Sequence, residues 1–392
     1  MNYLFKFDDS TASVEQFLKE SDVQFEIVSP DGRPEAIDYV KSICGKAANL
    51  LMANGKALVN PTPADASRLV LGKEVDGERR NFDALILGGG PAGLTAAIYL
   101  TRGNLSAAVI EELMPGGLMT KTDEIENYPG FPEGVNGFEI SKRMEQQAKR
   151  FGTHFISGRV EEVLLDRIVK EVVTPSGVFW SPNVIICFGT EHKHMDVPGE
   201  KEFYGLGVSY CATCDGPLYR GRDVVVIGGG DSAVQEAIFL SKLCRSVKVV
   251  HRRDELRAEK ILQQRAFNTP NIEFVWNSLP VEVVGSETGV SGMKVRNKID
   301  GVESIIPCDC VFVFIGLLPR VNVKGMEILE KDELGFIRAD EHTRTAIPGV
   351  FAAGDIRSGN IRQIATAVGD GCNASHSAEQ HLVNLSLPEW PA

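Results

Sequence analysis

Two cysteines in the run Cys211-Ala212-Thr213-Cys214-Asp215 are the residues of this sequence best suited to chemistry. Thiols at that spacing can close a small disulfide if they sit at a helix N-terminus, a position that also lowers a thiol's pKa. The adjacent Asp215 is placed to carry a proton to or from a thiolate. The same pair can also be read as half a zinc site or as two free thiols. Zinc needs two more ligands, and the only comparable pair, Cys308-Asp309-Cys310, has one intervening residue and lies beside apolar strand residues. Cys308 and Cys310 are therefore expected to be inert, as are Cys44, Cys187, Cys244 and Cys372, and no metal is expected. Eight cysteines in 392 residues do not make a disulfide scaffold.

Phosphate binding is the second chemistry in the sequence. Ala84 to Leu87 reads as a continuous apolar strand, followed by Gly88-Gly89-Gly90-Pro91-Ala92-Gly93, a helix from Leu94 to Arg102 and a strand from Ala107 to Ile110. Gly88 permits a tight turn, Gly90 lets backbone approach a pyrophosphate, and Gly93 lets helix pack closely on strand. The helix N-terminus supplies partial positive charge to the anion. Glu111 ends the second strand, where an acid holds both hydroxyls of an adenosine ribose.

The pattern recurs. Asp223 to Ile227 is a strand, Gly228-Gly229-Gly230-Asp231-Ser232-Ala233 a turn, Val234 to Cys244 a helix, and Val247 to Val250 a strand. Here Ala233 takes the third position, which the motif allows. The second strand ends in no acid but in His251-Arg252-Arg253-Asp254-Glu255-Leu256-Arg257. Three guanidiniums match a 2′-phosphate, which favours NADPH over NADH, although the run can also be read as a solvated basic helix start. Two such units make an internal duplication of the Rossmann type. Further on, Ile347-Pro348-Gly349-Val350-Phe351-Ala352-Ala353-Gly354-Asp355 runs from a short strand into a loop, where the acid can accept hydrogen bonds from a polyol such as the ribityl chain of FAD, although the run can also be read as a plain strand-to-turn exit.

These segments need a scaffold of more than one core, and 392 residues supply two or three domains. The net charge of −12 makes a nucleic-acid backbone an unsuitable partner. The longest apolar stretch, Cys310 to Leu318, is far shorter than the ~20 residues of a membrane span. The N-terminus has no basic segment, long apolar run or cleavage site, so a cytoplasmic location is expected. Before residue 81 the order is strand (Tyr3 to Phe7), helix (Ser13 to Glu20), strand (Val23 to Val28), helix (Pro34 to Cys44), hairpin through Asn54-Gly55, and helix (Ala64 to Leu71). That order fits a thioredoxin-like fold, and Lys73 to Asn81 reads as a polar linker whose cutting exposes little core.

From Phe82 to Leu382 the sequence resembles the low-molecular-weight thioredoxin reductases. The family's order is kept: the FAD turn, Gly116-Gly117, then Glu126-Asn127-Tyr128-Pro129-Gly130, CATCD, GGGDSA, HRRDELRAEK, and GVFAAGD with Arg362-Gln363 beyond. The resemblance implies an α/β fold with two Rossmann-like, three-layer domains, the FAD domain (81–194 and 320–392) split by an inserted NADPH domain (195–319). With the thioredoxin- or glutaredoxin-like unit of residues 1–80, that makes three domains. It further implies a homodimer acting on thioredoxin or a thioredoxin-like protein. Gly88, Gly90, Pro91, Ala92, Gly93, Glu111, Gly116, Gly117, Asn127, Gly354, Asp355, Arg362 and Gln363 would hold FAD. Gly228, Gly230, Asp231, Ser232, Ala233, His251, Arg252, Arg253 and Arg257 would hold NADPH. By the same resemblance Cys214 faces the flavin, Cys211 attacks the substrate disulfide, and Asp215 donates the proton, with rotation of one domain exchanging their access to the flavin.

Three positions depart from the family pattern: Leu118 for Gln, Cys187-Phe188-Gly189 for Ala-Thr-Gly, and Arg320 for Asn. The N-terminal unit resembles a glutaredoxin stripped of its chemistry. Asp8-Asp9-Ser10 stands where a Cys-x-x-Cys is expected, and Asn49 near the place of a cis-proline. A flavoprotein subunit serving a peroxiredoxin would need two cysteines in that unit, and only Cys44 is there. A ferredoxin-driven relative would lack the arginines at 252, 253 and 257.

Overall fold

The computed structural model describes residues 1–31, 33–73, 77–122 and 125–390, with backbone only at 213 and 214. The expected linker thus lies partly outside the described residues, at 74–76, as does the orientation of the Cys214 side chain. The chain forms two compact units: one is Thr190–Leu318 with a short segment from Lys121, the other is the remainder.

The remainder begins with β1 (Tyr3–Phe5), α1 (Ala12–Glu20), β2 (Glu26–Val28), α2 (Pro34–Cys44), β3 (Leu50–Ala53), β4 (Lys56–Val59) and α3 (Pro63–Leu71). The sheet order is β2-β1-β3-β4, with β1 and β2 parallel and the other pairs antiparallel. Asn54-Gly55 turns the β3–β4 hairpin with both residues at positive φ, as a two-residue connection of this hand demands. Pro34 opens α2 and Gly45 closes it in the left-handed region.

Next come β5 (Ala84–Leu87), α4 (Pro91–Arg102), β6 (Ala107–Glu111), α5 (Gly137–Arg150), β7 (His154–Ser157), β8 (Glu162–Leu164), β9 (Lys170–Thr174), β10 (Gly177–Ser181) and β11 (Val184–Ile186). Then the second unit starts. It contains β12 (Thr190–His192), β13 (Val208–Ser209), α6 (Ala212–Asp215), β14 (Asp223–Gly228), α7 (Asp231–Ser241), β15 (Ser246–Val250), α8 (Lys260–Phe267) and β16 (Ile272–Val275). It continues with β17 (Ser278–Ser286), β18 (Gly289–Asn297), β19 (Glu303–Pro307), β20 (Cys310–Phe314) and β21 (Leu317–Pro319), at whose end the chain leaves the unit. β22 (Val350–Ala352) and α9 (Ile364–Asn384) return to the first unit.

Each unit holds a five-stranded parallel sheet, β22-β11-β5-β6-β7 in the first and β13-β20-β14-β15-β16 in the second. Their strands are apolar at successive positions because both faces are covered. In the first unit Ala84, Ile86 and Val109 face α4 and α9, while Leu85, Leu87 and Ile110 face Val163, Val172 and Phe179 of the antiparallel β8–β10 sheet. In the second, Val224, Val226 and Val247 face α7, and Val225, Ile227 and Val250 face Val283, Met293 and Val295 of β17–β18. The layering of helices, parallel sheet and antiparallel sheet is therefore repeated, as the duplicated turns imply.

The N-terminal elements do not stand apart, and the expected exposed linker is corrected here. Phe5, Val28, Tyr39, Val40 and Ile43 share one core with Val169 and Trp180 of the β9–β10 region and with Leu387 and Trp390. Trp390 meets the rings of Phe5 and Tyr39 edge-on at 4.9 and 5.1 Å, and the Tyr39 hydroxyl donates to the Pro388 carbonyl at 2.7 Å. The segment Arg80–Phe82 pairs with Trp180, through Trp180 N–H to the Arg80 carbonyl (2.9 Å) and Phe82 N–H to the Trp180 carbonyl (3.0 Å).

Polar residues of the linker are turned inward. The Asn81 amide exchanges two hydrogen bonds with the Val59 backbone and so closes the free edge of β4. Asp65, the third residue of α3 and partner of Thr62 in a capping box, also accepts from the backbone N–H groups of Arg80 and Asn81. Cutting near Arg79 would therefore uncover Val169 and Trp180, which are buried. Trp180→Ala is expected to lower stability by about 3–5 kcal/mol, measured as a shift of the denaturant midpoint in the full chain.

Candidate functional site

The first unit builds, from its parallel strands, a turn with the shape of a phosphate cradle. Gly88 has φ +107°, and a Cβ there would lie 2.5 Å from the carbonyl oxygen of Cys187, which follows neighbouring β11. A Cβ at Gly93 would lie 2.0 Å from the Gly88 carbonyl oxygen, so only glycine lets α4 rest on the turn. At Gly90 the space is open, and this residue caps α4 with extended backbone and no side-chain cap. The first-turn N–H groups are thus left for an anion, beside Pro91 and Ala92.

The Glu111 carboxylate, at the end of β6, is fixed by the N–H groups of Gly89 (2.8 Å) and Leu113 (3.0 Å). The Gly116 N–H reaches back to the Gly89 carbonyl at 2.7 Å, and Gly116 and Gly117 both have positive φ. Arg320 lies 3.6 Å from Glu112, the residue after Glu111; nothing in the structure explains Leu118.

The C-terminal segment completes the cradle. A Cβ at Gly371 of α9 would lie 2.2 Å from the Ala92 carbonyl oxygen, so α9 touches the start of α4. Gly354 leaves β22 at φ +80° and donates its N–H to Asp370 of α9 at 3.0 Å. Asp370 also takes two bonds from the Arg357 guanidinium, at 2.9 Å each, and one from Asn360 at 2.8 Å. Asp370 and Arg357 shape this loop, and no sequence signal marks either, because an acid inside a helix looks like a solvent-facing residue.

Asn127 donates to Gln363, the residue that caps α9, at 3.0 Å. Arg362, at φ +59°, stacks its guanidinium over Phe336 at 4.2 Å, and its buried Nε has no hydrogen-bond partner. An orphaned buried donor in the same unit as the uncapped start of α4 fits a bound phosphate-bearing dinucleotide. Asp355 is largely buried, and burial pushes its carboxyl up to about 6 against the pull of Arg362. Its raised value means that the ligand-free protein loses stability as pH rises from about 4 to about 6. Asp355→Asn is expected to stabilise the apoprotein by up to about 2–3 kcal/mol at pH 7 with little effect near pH 4, read by thermal unfolding at both pH values.

The second unit repeats the cradle with different chemistry around it. A Cβ at Gly228 (φ +148°) would lie 2.3 Å from the Phe314 carbonyl oxygen and 2.7 Å from the Ala233 methyl. Gly230 is open and caps α7 with extended backbone. Asp231, in the first turn beside Ser232, accepts from the Glu259 N–H at 2.7 Å, and Gly229 accepts from the Arg257 N–H at 2.7 Å. These bonds fold the loop 251–259 back over the turn.

His251 is buried against Gly229 and its Nε2 has no partner. Burial, with Arg257, Arg253 and Arg252 nearby, lowers its affinity for a proton. The three arginines are exposed in this loop, and among the described residues none is paired with a carboxylate. If Arg252 or Arg253 grips a 2′-phosphate, alanine there should raise the KM for NADPH about ten-fold or more and leave that for NADH nearly unchanged. Steady-state kinetics with both nucleotides checks this, and an equal loss for both would remove the 2′-phosphate role.

The cysteine motif lies on the same unit. Cys211 is disulfide-bonded and immediately precedes α6, a single helical turn. The Ser209 hydroxyl accepts from the Cys211 N–H at 3.0 Å and donates to its carbonyl at 3.2 Å, and the Asp215 N–H reaches the same carbonyl at 3.1 Å. The six cysteines at 44, 187, 244, 308, 310 and 372 are free thiols, all but Cys372 buried. Burial raises the five buried thiols, Cys244 to about 11 and Cys308 to about 12. Such thiols carry little thiolate near neutral pH. Among the described residues no three His, Cys, Asp or Glu side chains converge as metal ligands, and no helix is long and apolar enough to cross a membrane.

Residues 82–371 match the family model described as pyridine nucleotide-disulphide oxidoreductase. The thioredoxin reductase of Listeria monocytogenes is 43% identical over 308 residues, which span 79% of this chain and 96% of that protein. The thioredoxin reductase of Bacillus subtilis is 43% identical over 309 residues, 79% of this chain and 97% of that protein. The crystal structure of Lactococcus lactis thioredoxin reductase superposes with a TM-score of 0.75 at 41% identity, covering 78% of this chain and all of that one.

Proposed function

The chain belongs to the pyridine nucleotide-disulphide oxidoreductase family, and we propose that it uses NADPH and FAD to reduce the disulfide of thioredoxin or a thioredoxin-like protein. One observation carries the reading most strongly: the disulfide-bonded Cys211 sits on the same unit as a nucleotide turn flanked by three arginines. The identity to thioredoxin reductases over nearly their whole length supports it.

FAD held here would supply the redox chemistry, taking hydride from NADPH and passing two electrons to a disulfide. This chain's residues do the rest. The open turn at Gly90, Glu111 and the loop around Gly354–Asp355 bind and orient FAD, with Gly116, Gly117, Asn127, Arg362 and Gln363 around them. The turn at Gly230 and the arginines at 252, 253 and 257 select and hold NADPH. Cys211 and Cys214 form the disulfide that receives the electrons, with Cys214 facing the flavin and Asp215 supplying a proton. The Cys211 thiolate attacks one sulfur of the partner disulfide, and the other leaves as a thiolate that takes a proton. Cys214 then attacks Cys211, frees the second partner thiol and restores the internal disulfide.

The N-terminal unit is read as thioredoxin-like but without a redox role. Its β2-β1-β3-β4 order supports the first statement. The second is supported where a dithiol would be expected. There the buried Asn49 side chain accepts from the N–H groups of Phe7 (2.6 Å) and Asp8 (3.3 Å). It donates to Asp8 (2.6 Å) and Ser10 (2.8 Å). A homodimer and a cytoplasmic location belong to the same reading. The test is direct: the purified protein should be yellow, hold one FAD per chain, and oxidise NADPH only when thioredoxin disulfide is supplied. A colourless protein that takes up no FAD, or one idle with thioredoxin, would remove the reading.

A further inference from the structure

Tyr210 immediately precedes the disulfide-bonded Cys211, and its side chain is tied into a polar chain that the reaction as described does not use. The Tyr210 hydroxyl donates to Glu200, whose side chain is 2% exposed. Glu200 also accepts from the N–H groups of Met195 (2.8 Å) and Asp196 (2.7 Å). Asp196 is held at φ +57°, which places two successive N–H groups on one carboxylate.

The His194 Nδ1 lies 2.7 Å from the same Tyr210 oxygen. A phenol has one proton, and here it goes to Glu200, so at His194 the oxygen accepts and Nδ1 carries the hydrogen. His192 and Tyr204 flank the Tyr210 ring, with centroids at 5.8 and 5.9 Å. Burial and the Glu200 carboxylate push the Tyr210 phenol up, so it stays protonated and keeps donating.

This chain of bonds joins two places in the second unit. One is the segment 194–196, a few residues after the chain enters the unit at Thr190. The other is the backbone that presents Cys211, which is already clamped from the other side by Ser209 and by β13 on β20. A residue fixed at its side chain on one side and flanked by a clamped cysteine on the other has little freedom left for the peptide between them.

We propose that Glu200, Tyr210 and His194 are positioning residues for Cys211, holding it in the geometry needed to attack a protein disulfide. The proposal rests on the assigned function but concerns residues outside its cofactor and cysteine sites. The attacking sulfur, the sulfur attacked and the leaving sulfur must lie nearly in line, so loss of this anchor lowers the rate of exchange rather than the rate at which NADPH reduces the flavin.

The experiment uses the full-length holoenzyme and two readouts: anaerobic stopped-flow reduction of the flavin by NADPH, and steady-state turnover with thioredoxin. For Tyr210→Phe we expect kcat with thioredoxin to fall about ten-fold, with KM for thioredoxin and the flavin reduction rate held. His194 is half exposed, so its variants keep the test open if Tyr210→Phe fails to fold. His194→Leu should show part of the same fall, and His194→Gln, which can still donate to the phenol, should recover it. Unchanged turnover in Tyr210→Phe, a parallel fall in flavin reduction, or no recovery in His194→Gln over His194→Leu would each overturn the proposal. Failure of the wild-type protein to turn over thioredoxin, with its flavin still reduced by NADPH, would instead strike the assigned function and this proposal with it.

Discussion

Serine at either position 211 or 214 should bring NADPH-driven turnover of thioredoxin below about a thousandth of the wild-type value. The effect is large because five of the six other thiols are buried and the sixth, Cys372, belongs to α9 of the first unit, not to the unit that carries Cys211. The free cysteines at 44, 187, 244, 308 and 310 are buried and raised by that burial. A buried, protonated thiol is neither a nucleophile nor a leaving group of use in exchange. The two variants should differ in colour. Cys211→Ser keeps the sulfur assigned to the flavin side and should show long-wavelength charge-transfer absorption on reduction; Cys214→Ser should not. The reverse pattern in the visible spectrum would exchange the two assignments.

Gly93→Ala should yield a protein that is colourless as purified, with FAD affinity lowered by at least about a hundred-fold in fluorescence titration. The added methyl would stand 2.0 Å from the Gly88 carbonyl oxygen and 3.1 Å from the Ile86 side chain. The Gly88 carbonyl belongs to the turn itself and cannot move away as a flexible side chain would. Relief therefore needs α4 to lift off β5, which also withdraws the N–H groups at its start from the phosphate. Gly90→Ala makes a useful contrast. Its methyl meets no protein atom within 4 Å. Any loss of FAD there comes from a clash with the ligand, and the apoprotein should keep its full stability. If Gly93→Ala retains FAD at wild-type affinity, the close approach of helix to turn is not what forms the cradle.

What could be read from sequence was whatever depends on local geometry. The turns at 88–93 and 228–233 were legible because Gly88, Gly93 and Gly228 sit where a Cβ would strike backbone atoms, leaving little choice of residue. The N-terminal elements were legible from periodicity, from Pro34 at the start of α2 and from Asn54-Gly55 in the hairpin. What stayed hidden depends on partners far away in the chain. Asn81 and Asp65 look like solvated linker and helix residues, yet both are buried and spend their hydrogen bonds on each other and on backbone. Asp370 organises the Gly354 loop from within α9, and Glu200 reaches Tyr210 across a turn; no spacing rule marks either. The expectation that a cut near Arg79 exposes little core fails for this reason: Arg79 and Asn81 are polar yet buried, and a fully bonded polar group can be buried at small cost.

The contacts of Trp390 with Phe5 and Tyr39 impose an order on biosynthesis. The first strands and helices leave the ribosome early, but their core needs Val169 and Trp180 and is covered by Leu387 and Trp390. At roughly 5–20 residues per second, about three hundred further residues take on the order of 15–60 s to appear. Throughout that interval the nascent N-terminal segment carries the aromatic faces of Phe5 and Tyr39 without their final cover. A ribosome stalled before residue 387 would display a chain whose nucleotide cradles have their strands while its oldest segment is still unsealed. Pulse proteolysis of such stalled chains should cut within the first 72 residues and spare the same bonds once residues 387–390 have emerged.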